Sequence, residues 1–221
     1  MSNLETRWTR TTAAVAAIVV AAFALSACSG TTTTSSSPSS SSSADVAEYT
    51  TPRTMPEGKG SGQADGVFPR TVVHFQGETT LEAAPERVVV ISTGQADAML
   101  TLGIVPTGST SGDGAELIPQ YLYDEFPEQT AQLDDVIDVG SRFDPDIETI
   151  ANIDPDLIVM NSAGKDAAAL YANLSAIAPT VATQGTGLYW KQDFLLLADA
   201  VGMAEQAGDW QDDFHAAAAT V

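Results

Sequence analysis

The run Arg87-Val88-Val89-Val90-Ile91-Ser92 constrains this chain more than any other segment. Four consecutive β-branched side chains favour an extended backbone. No polar residue interrupts them, so both faces of the strand must be covered, as in a parallel sheet. Residues 104–109, 135–139, 157–161 and 180–183 read as further short strands. Helical spacing of apolar residues occupies 94–102, 146–152, 165–177 and 190–201, and 204–220 adds a last helix unbroken by Pro. Residues 71–76 and 79–83 flank Gly77 and predict a hairpin. Strands alternating with helices over short loops predict an α/β fold, a parallel-sheet lobe with flanking helices.

In such a sheet, ligands lie beyond the carboxyl ends of the strands. Those ends are Ser92-Thr93-Gly94, Ser109-Thr110, Gly140-Ser141-Arg142, Asn161-Ser162-Ala163-Gly164 and Thr183-Gln184. All are small or polar and one is cationic, which makes them a candidate binding edge. Ser92, Thr93, Ser109, Arg142 and Ser162 are its candidate ligand contacts, with Trp190 at the start of a helix on the same side.

The amino-terminal third has a different character. Arg7 and Arg10 precede an uncharged, mostly apolar run over residues 11–25. About 20 apolar residues are needed to span a bilayer, so this run fits the core of a secretory signal better. Leu25-Ser26-Ala27-Cys28 follows and looks like a bacterial lipobox, in which cleavage precedes the Cys and lipid is attached to its thiol. In residues 29–43, thirteen of fifteen are Ser or Thr. Such a segment cannot bury enough apolar surface to offset its ordering entropy. With Gly58-Lys59-Gly60-Ser61-Gly62 it predicts a disordered tether over residues 28–66, after a signal peptide over 1–27.

Composition narrows the function. Nine basic against 29 acidic residues give a formal charge of −20, which argues against a nucleic-acid partner. A lone Cys excludes a disulfide framework, and two scattered His offer no metal cluster. No phosphate-binding loop or nucleophile elbow occurs, so no catalytic residue is assigned. Asp144-Pro145-Asp146 reads as a helix start with a capping Asp and Pro in the first turn. Asp154-Pro155-Asp156 reads as a turn into the next strand.

Five blocks in register resemble the iron–siderophore substrate-binding proteins of ABC importers. They are Ala84-Pro85-Glu86-Arg87-Val88-Val89-Val90; Asp97-Ala98-Met99-Leu100 with Leu102-Gly103-Ile104-Val105-Pro106; Val139-Gly140-Ser141-Arg142 through Asp146-Ile147-Glu148; Asp154-Pro155-Asp156-Leu157-Ile158; and Ala178-Pro179-Thr180-Val181 followed by Trp190. The resemblance implies two α/β lobes joined by a long helix, with ligand clamped between them and no cofactor. It implies that residues 67–203 form the first lobe and that 204–221 begin the joining helix, the second lobe being absent from this chain. It implies a non-enzymatic, lipid-anchored extracytoplasmic receptor that captures a ferric siderophore and delivers it to a permease. Cobalamin, haem or another metal chelate is the alternative ligand, and an anchored hydrolase the alternative activity. In this reading Arg142 contacts the ligand, Glu148 docks on the permease, and Cys28 carries the lipid.

Overall fold

The computed structural model describes residues 51–112, 114–185 and 187–220. Cys28, the apolar run before it and the Ser/Thr-rich segment lie outside the described residues.

The hairpin pairs β1 (Arg70–His74) with β2 (Gly77–Leu81), Arg70 opposite Leu81 and His74 opposite Gly77. Then follow β3 (Val88–Val90), α1 (Gln95–Thr101), β4 (Gly108–Ser111), α2 (Gln120–Glu125) and α3 (Thr130–Asp134). Next come β5 (Ile137–Ser141), β6 (Asp144–Pro145), α4 (Ile147–Ile153), β7 (Leu157–Asn161) and α5 (Ala167–Ser175). The described chain closes with β8 (Thr180–Thr183), α6 (Trp190–Val201) and α7 (Ala204–Ala218). Six strands form one sheet in the order β6-β5-β4-β3-β7-β8, parallel except at the β5–β6 edge.

The continuous apolar run of β3 is used on both faces. Val88 and Val90 join Leu157, Val159 and Val181 beneath α1 and α6. Val89 and Ile91 join Ile158, Met160 and Ala182 beneath α4 and α5. From β3 the chain steps outward to β4 and β5, then returns through α4 to β7 on the other flank of β3. That reversal opens a crevice at the strands' carboxyl ends.

Four expectations change. The tether does not extend to residue 66, because residues 51–66 are built into the body. Gly60 bridges Val73, with N–H···O distances of 2.9 and 3.1 Å. The Ser61 amide and hydroxyl donate to Asp199 at 2.6 and 2.8 Å. Asp65 accepts the N–H groups of Ala204 and Glu205 at 2.7 and 2.9 Å, satisfying two free donors at the start of α7. Gly60 sits at φ 85°, where glycine is favoured, and a Cβ on it would stand 2.8 Å from the Met55 side chain.

The strand expected at 104–109 begins at Gly108 and ends at Ser111. Helices α2 and α3 were not expected. They are only six and five residues long, and they cohere through a small cluster of Leu100, Ile118, Leu122, Leu133 and Val136. The cap of α4 is Asp146, whose carboxylate accepts from the Glu148 and Thr149 amides; Pro145 precedes the cap in β6 rather than opening the helix.

Candidate functional site

The crevice holds a cleft of about 430 Å³ above β3, β7 and β8, walled by α1, α6 and α7. A second hollow of about 480 Å³ lies between the loop after β5 and the start of α5, lined by Ser92, Phe143, Lys165 and Leu170 among others. Arg142, Asn161 and Ala163 border both.

Local backbone chemistry places Arg142. Gly140 turns the chain at φ 89°, and a Cβ there would approach Asp144 O at 3.2 Å and Asp146 N at 3.3 Å. Only glycine accommodates both the sign of φ and the contact. The turn is held by Gly140 N–H donating to Asp138 Oδ1 at 2.8 Å and by the short β5–β6 pairing. The guanidinium lies 4.3 Å over the Phe143 ring and makes one long contact to Thr93 Oγ1, 3.4 Å. The ion pairs among the described residues are Arg70–Asp199 and Arg87–Asp154, so neither Asp144 nor Asp146 neutralises Arg142.

The other expected contacts divide. Thr93 and Trp190 line the cleft with Arg142. Ser92 borders only the second hollow, and its Oγ accepts the Asn161 N–H at 2.9 Å. Ser109 lines neither. Because β4 continues two residues further, Ser109 is buried mid-strand, its hydroxyl reaching only Thr110 O at 3.3 Å. Ser162 also lines neither; its amide donates to Thr183 O at 2.8 Å, and β alternation gives the cleft to Asn161 instead. Glu148 is exposed in the first turn of α4, away from both hollows.

Several lining residues were not singled out from the sequence. Asp193, in the first turn of α6, accepts the Gln184 and Gly185 amides at 3.0 and 2.8 Å and so shapes the loop after β8. Burial pushes its carboxyl above the usual range, and those hydrogen bonds pull it back. Gly185, at φ 85°, lets that loop close on Asn161, where a Cβ would stand 2.8 Å from the Asn side chain. Asp97 accepts the Tyr121 hydroxyl at 2.5 Å; burial first, then this carboxylate, pushes the phenol up to about 12. Trp190 and Trp210 meet edge to face at 6.3 Å, and Trp210 stacks on Phe214 at 5.6 Å. A signal existed for Asp97 and Asp193, acids at the starts of helices that follow strand ends. None existed for Tyr121, which reaches the site on the unexpected helix α2.

Comparison with known proteins places this geometry. The family profile described as periplasmic binding protein matches residues 88–221. A probable siderophore-binding lipoprotein of Bacillus subtilis, YfiY, is 31% identical over 159 residues, covering 72% of this chain and 46% of that protein. The Fe(3+) dicitrate-binding periplasmic protein FecB of Escherichia coli is 35% identical over 114 residues, 52% of this chain and 35% of that one. The crystal structure of Staphylococcus aureus SirA complexed with staphyloferrin B superposes with a TM-score of 0.56 at 28% identity, over 65% of this chain and 46% of that chain. The chain thus spans less than half the length of each of these relatives.

Proposed function

Because the chain belongs to the periplasmic binding protein family, we propose that it captures a ferric siderophore outside the cytoplasmic membrane and hands it to the permease of an ABC importer. The observation that carries this reading is Arg142. Among the described residues it is a cation without a carboxylate partner, held by a glycine turn at the junction of two hollows in the strand-end crevice. The metal-bound oxygens of a ferric chelate carry negative charge, and a guanidinium can donate several N–H groups to them at once. Thr93 and Asn161 add neutral polar contacts on either side.

The rest of the reading follows the same division of labour. The ligand binds without turnover. Glu148 stands exposed on α4 for a basic surface of the permease, clear of the ligand. Cys28 carries the lipid that keeps the receptor at the membrane. YfiY, named a lipoprotein and siderophore-binding, supports both the anchor and the ligand class.

Quenching of tryptophan fluorescence tests the binding step, since Trp190 and Trp210 both line the cleft. Titration with ferric chelates, and with the same chelators carrying no iron, should show saturable quenching by the ferric forms. Identical weak responses to both sets would reject the reading.

A further inference from the structure

The side-chain amide of Gln95 is half satisfied. Its Nε2 donates to Met160 O at 2.8 Å and to Thr183 Oγ1 at 3.0 Å. Met160 O can only accept, which fixes nitrogen on that branch of the amide. Oε1 therefore occupies the other branch, where it is buried and has no partner among the described residues. Gln95 is 6% exposed and lines the cleft. Buried acceptors in this state are uncommon and costly to leave unpaired.

Gln95 is not the only acceptor there. Asp97, two residues further along α1, lines the same cleft; Oδ1 takes the Tyr121 hydroxyl, and Oδ2 carries no hydrogen bond among the described residues. Among the described residues, the charged groups lining the cleft itself are Asp97, Asp193 and Arg142, so carboxylates outnumber cations there, while Lys191 Nζ stands 5.3 Å over the ring of Trp190. Trp190 and Trp210, 37% and 39% exposed, supply indole rings from α6 and α7. A spare amide oxygen, a carboxylate and two indoles share a chemical preference. Each attracts a protonated amine: the oxygens take its N–H groups, and the rings its charge. The same set repels a carboxylate or catecholate arm.

We propose that this cleft selects a ferric chelate bearing a free protonated amine, which donates to Gln95 Oε1 and Asp97 and packs against Trp190 and Trp210. The proposal rests on the ferric-siderophore reading and narrows its ligand class. The chelated metal sits at Arg142, where the two hollows meet, and the amine arm enters the cleft.

The test uses the full chain and three probes: ferrioxamine B, a linear ferric tris-hydroxamate with a terminal ammonium; its N-acetylated derivative; and ferric dicitrate. The ammonium form should bind about tenfold or more tightly than the acetylated form, the scale of one charge-assisted contact. Asp97→Asn retains an acceptor for Tyr121 and so a folded protein; it should cut that ratio to about threefold or less. Gln95→Met, checked for folding by circular dichroism, should also lower it. Equal affinity for the ammonium and acetylated forms overturns the amine proposal, as does a preference that survives both variants. Binding of ferric dicitrate alone overturns it while leaving the ferric reading standing. If none of the three binds, the ferric reading itself falls, and the amine preference with it.

Discussion

Arg70 and Asp199 face each other beneath the surface, with Nη1 3.8 Å from Oδ1 and side-chain exposures of 0% and 4%. Arg70 also donates to the Asp199, Ala64 and Val67 carbonyls, while the Asp199 carboxylate takes both donors of Ser61. One buried pair thus ties the incoming segment, the hairpin and α6 together. Removing one partner of such a pair leaves an uncompensated buried charge. Asp199→Ala should cost about 3–5 kcal/mol in urea unfolding, and Asp199→Asn, which keeps one acceptor for Ser61, should cost less. An Asp199→Ala protein as stable as wild type would mean that the Arg70–Asp199–Ser61 contacts contribute nothing to the fold.

His74 makes stability depend on pH. Its Nδ1 accepts the Gln76 amide at 3.2 Å, so the neutral ring carries its proton on Nε2. That proton goes to Thr79 Oγ1 at 2.9 Å, whose hydroxyl donates to Thr180 O at 2.7 Å and joins the hairpin to β8. Burial, with help from the Lys59 charge, lowers the ring from 6.5 to about 4. Because the folded value lies below the unfolded one, the contribution is complete above pH 6.5 and fades as the pH falls toward 4. At about 1.4 kcal/mol per unit, roughly 3 kcal/mol is withdrawn across that window. The stability gap between wild type and His74→Gln should therefore shrink from pH 7 to pH 4.5. A gap independent of pH would place the titration of His74 elsewhere.

Arg142 is the residue on which the binding reading turns. A charge-assisted hydrogen bond contributes about 1.5–3 kcal/mol, so Arg142→Ala should weaken ferric-chelate binding by roughly 10- to 150-fold. Arg142→Gln should fall between that variant and wild type. Unchanged affinity in both folded variants would reduce Arg142 to a surface cation stacked on Phe143.

Glu148 should separate binding from transport. It lies clear of both hollows, so Glu148→Lys should leave ferric-chelate affinity within about twofold, a few tenths of a kcal/mol. The same change should abolish uptake in cells that depend on this receptor. Normal uptake by the Glu148→Lys strain would move the permease contact elsewhere.

The anchor is tested by fractionation. Cys28→Ser should shift the protein from the membrane pellet to the soluble extracytoplasmic fraction. Retention of the variant in carbonate-washed membranes would assign the attachment to another segment.

Much of the lobe was legible because its strands advertise themselves. Val88–Val90 and residues 157–160 are apolar runs, Thr180–Thr183 is β-branched at three of its four positions, and helical periodicity fixed Trp190–Val201. What escaped has a common cause: it depends on contacts distant in sequence. Gly60 and Ser61 look like linker until Asp199, 138 residues beyond Ser61, supplies the partner. Helix α2 carries little apolar periodicity and gains its place from Leu122 packing into the cluster around Leu100. At the site, strand ends located the crevice, but a shift of two residues in the end of β4 moved Ser109 from rim to core. Arg142 and Trp190 line the cleft, as their places at a strand end and a helix start imply. Gln95 was not legible, because its interest lies in a bond that it does not make.

The packing of residues 51–66 has a geometric consequence for a lipid-anchored receptor. A chain can extend by at most about 3.5 Å per residue. Sixteen residues committed to the body, rather than to the leash, withdraw about 55 Å from the greatest height the lobe could reach above its anchor. On the proposed anchor at Cys28, the space open to the lobe would contract toward the bilayer. Its proposed encounters with a permease embedded there would become correspondingly more frequent, since a shorter leash raises the effective local concentration.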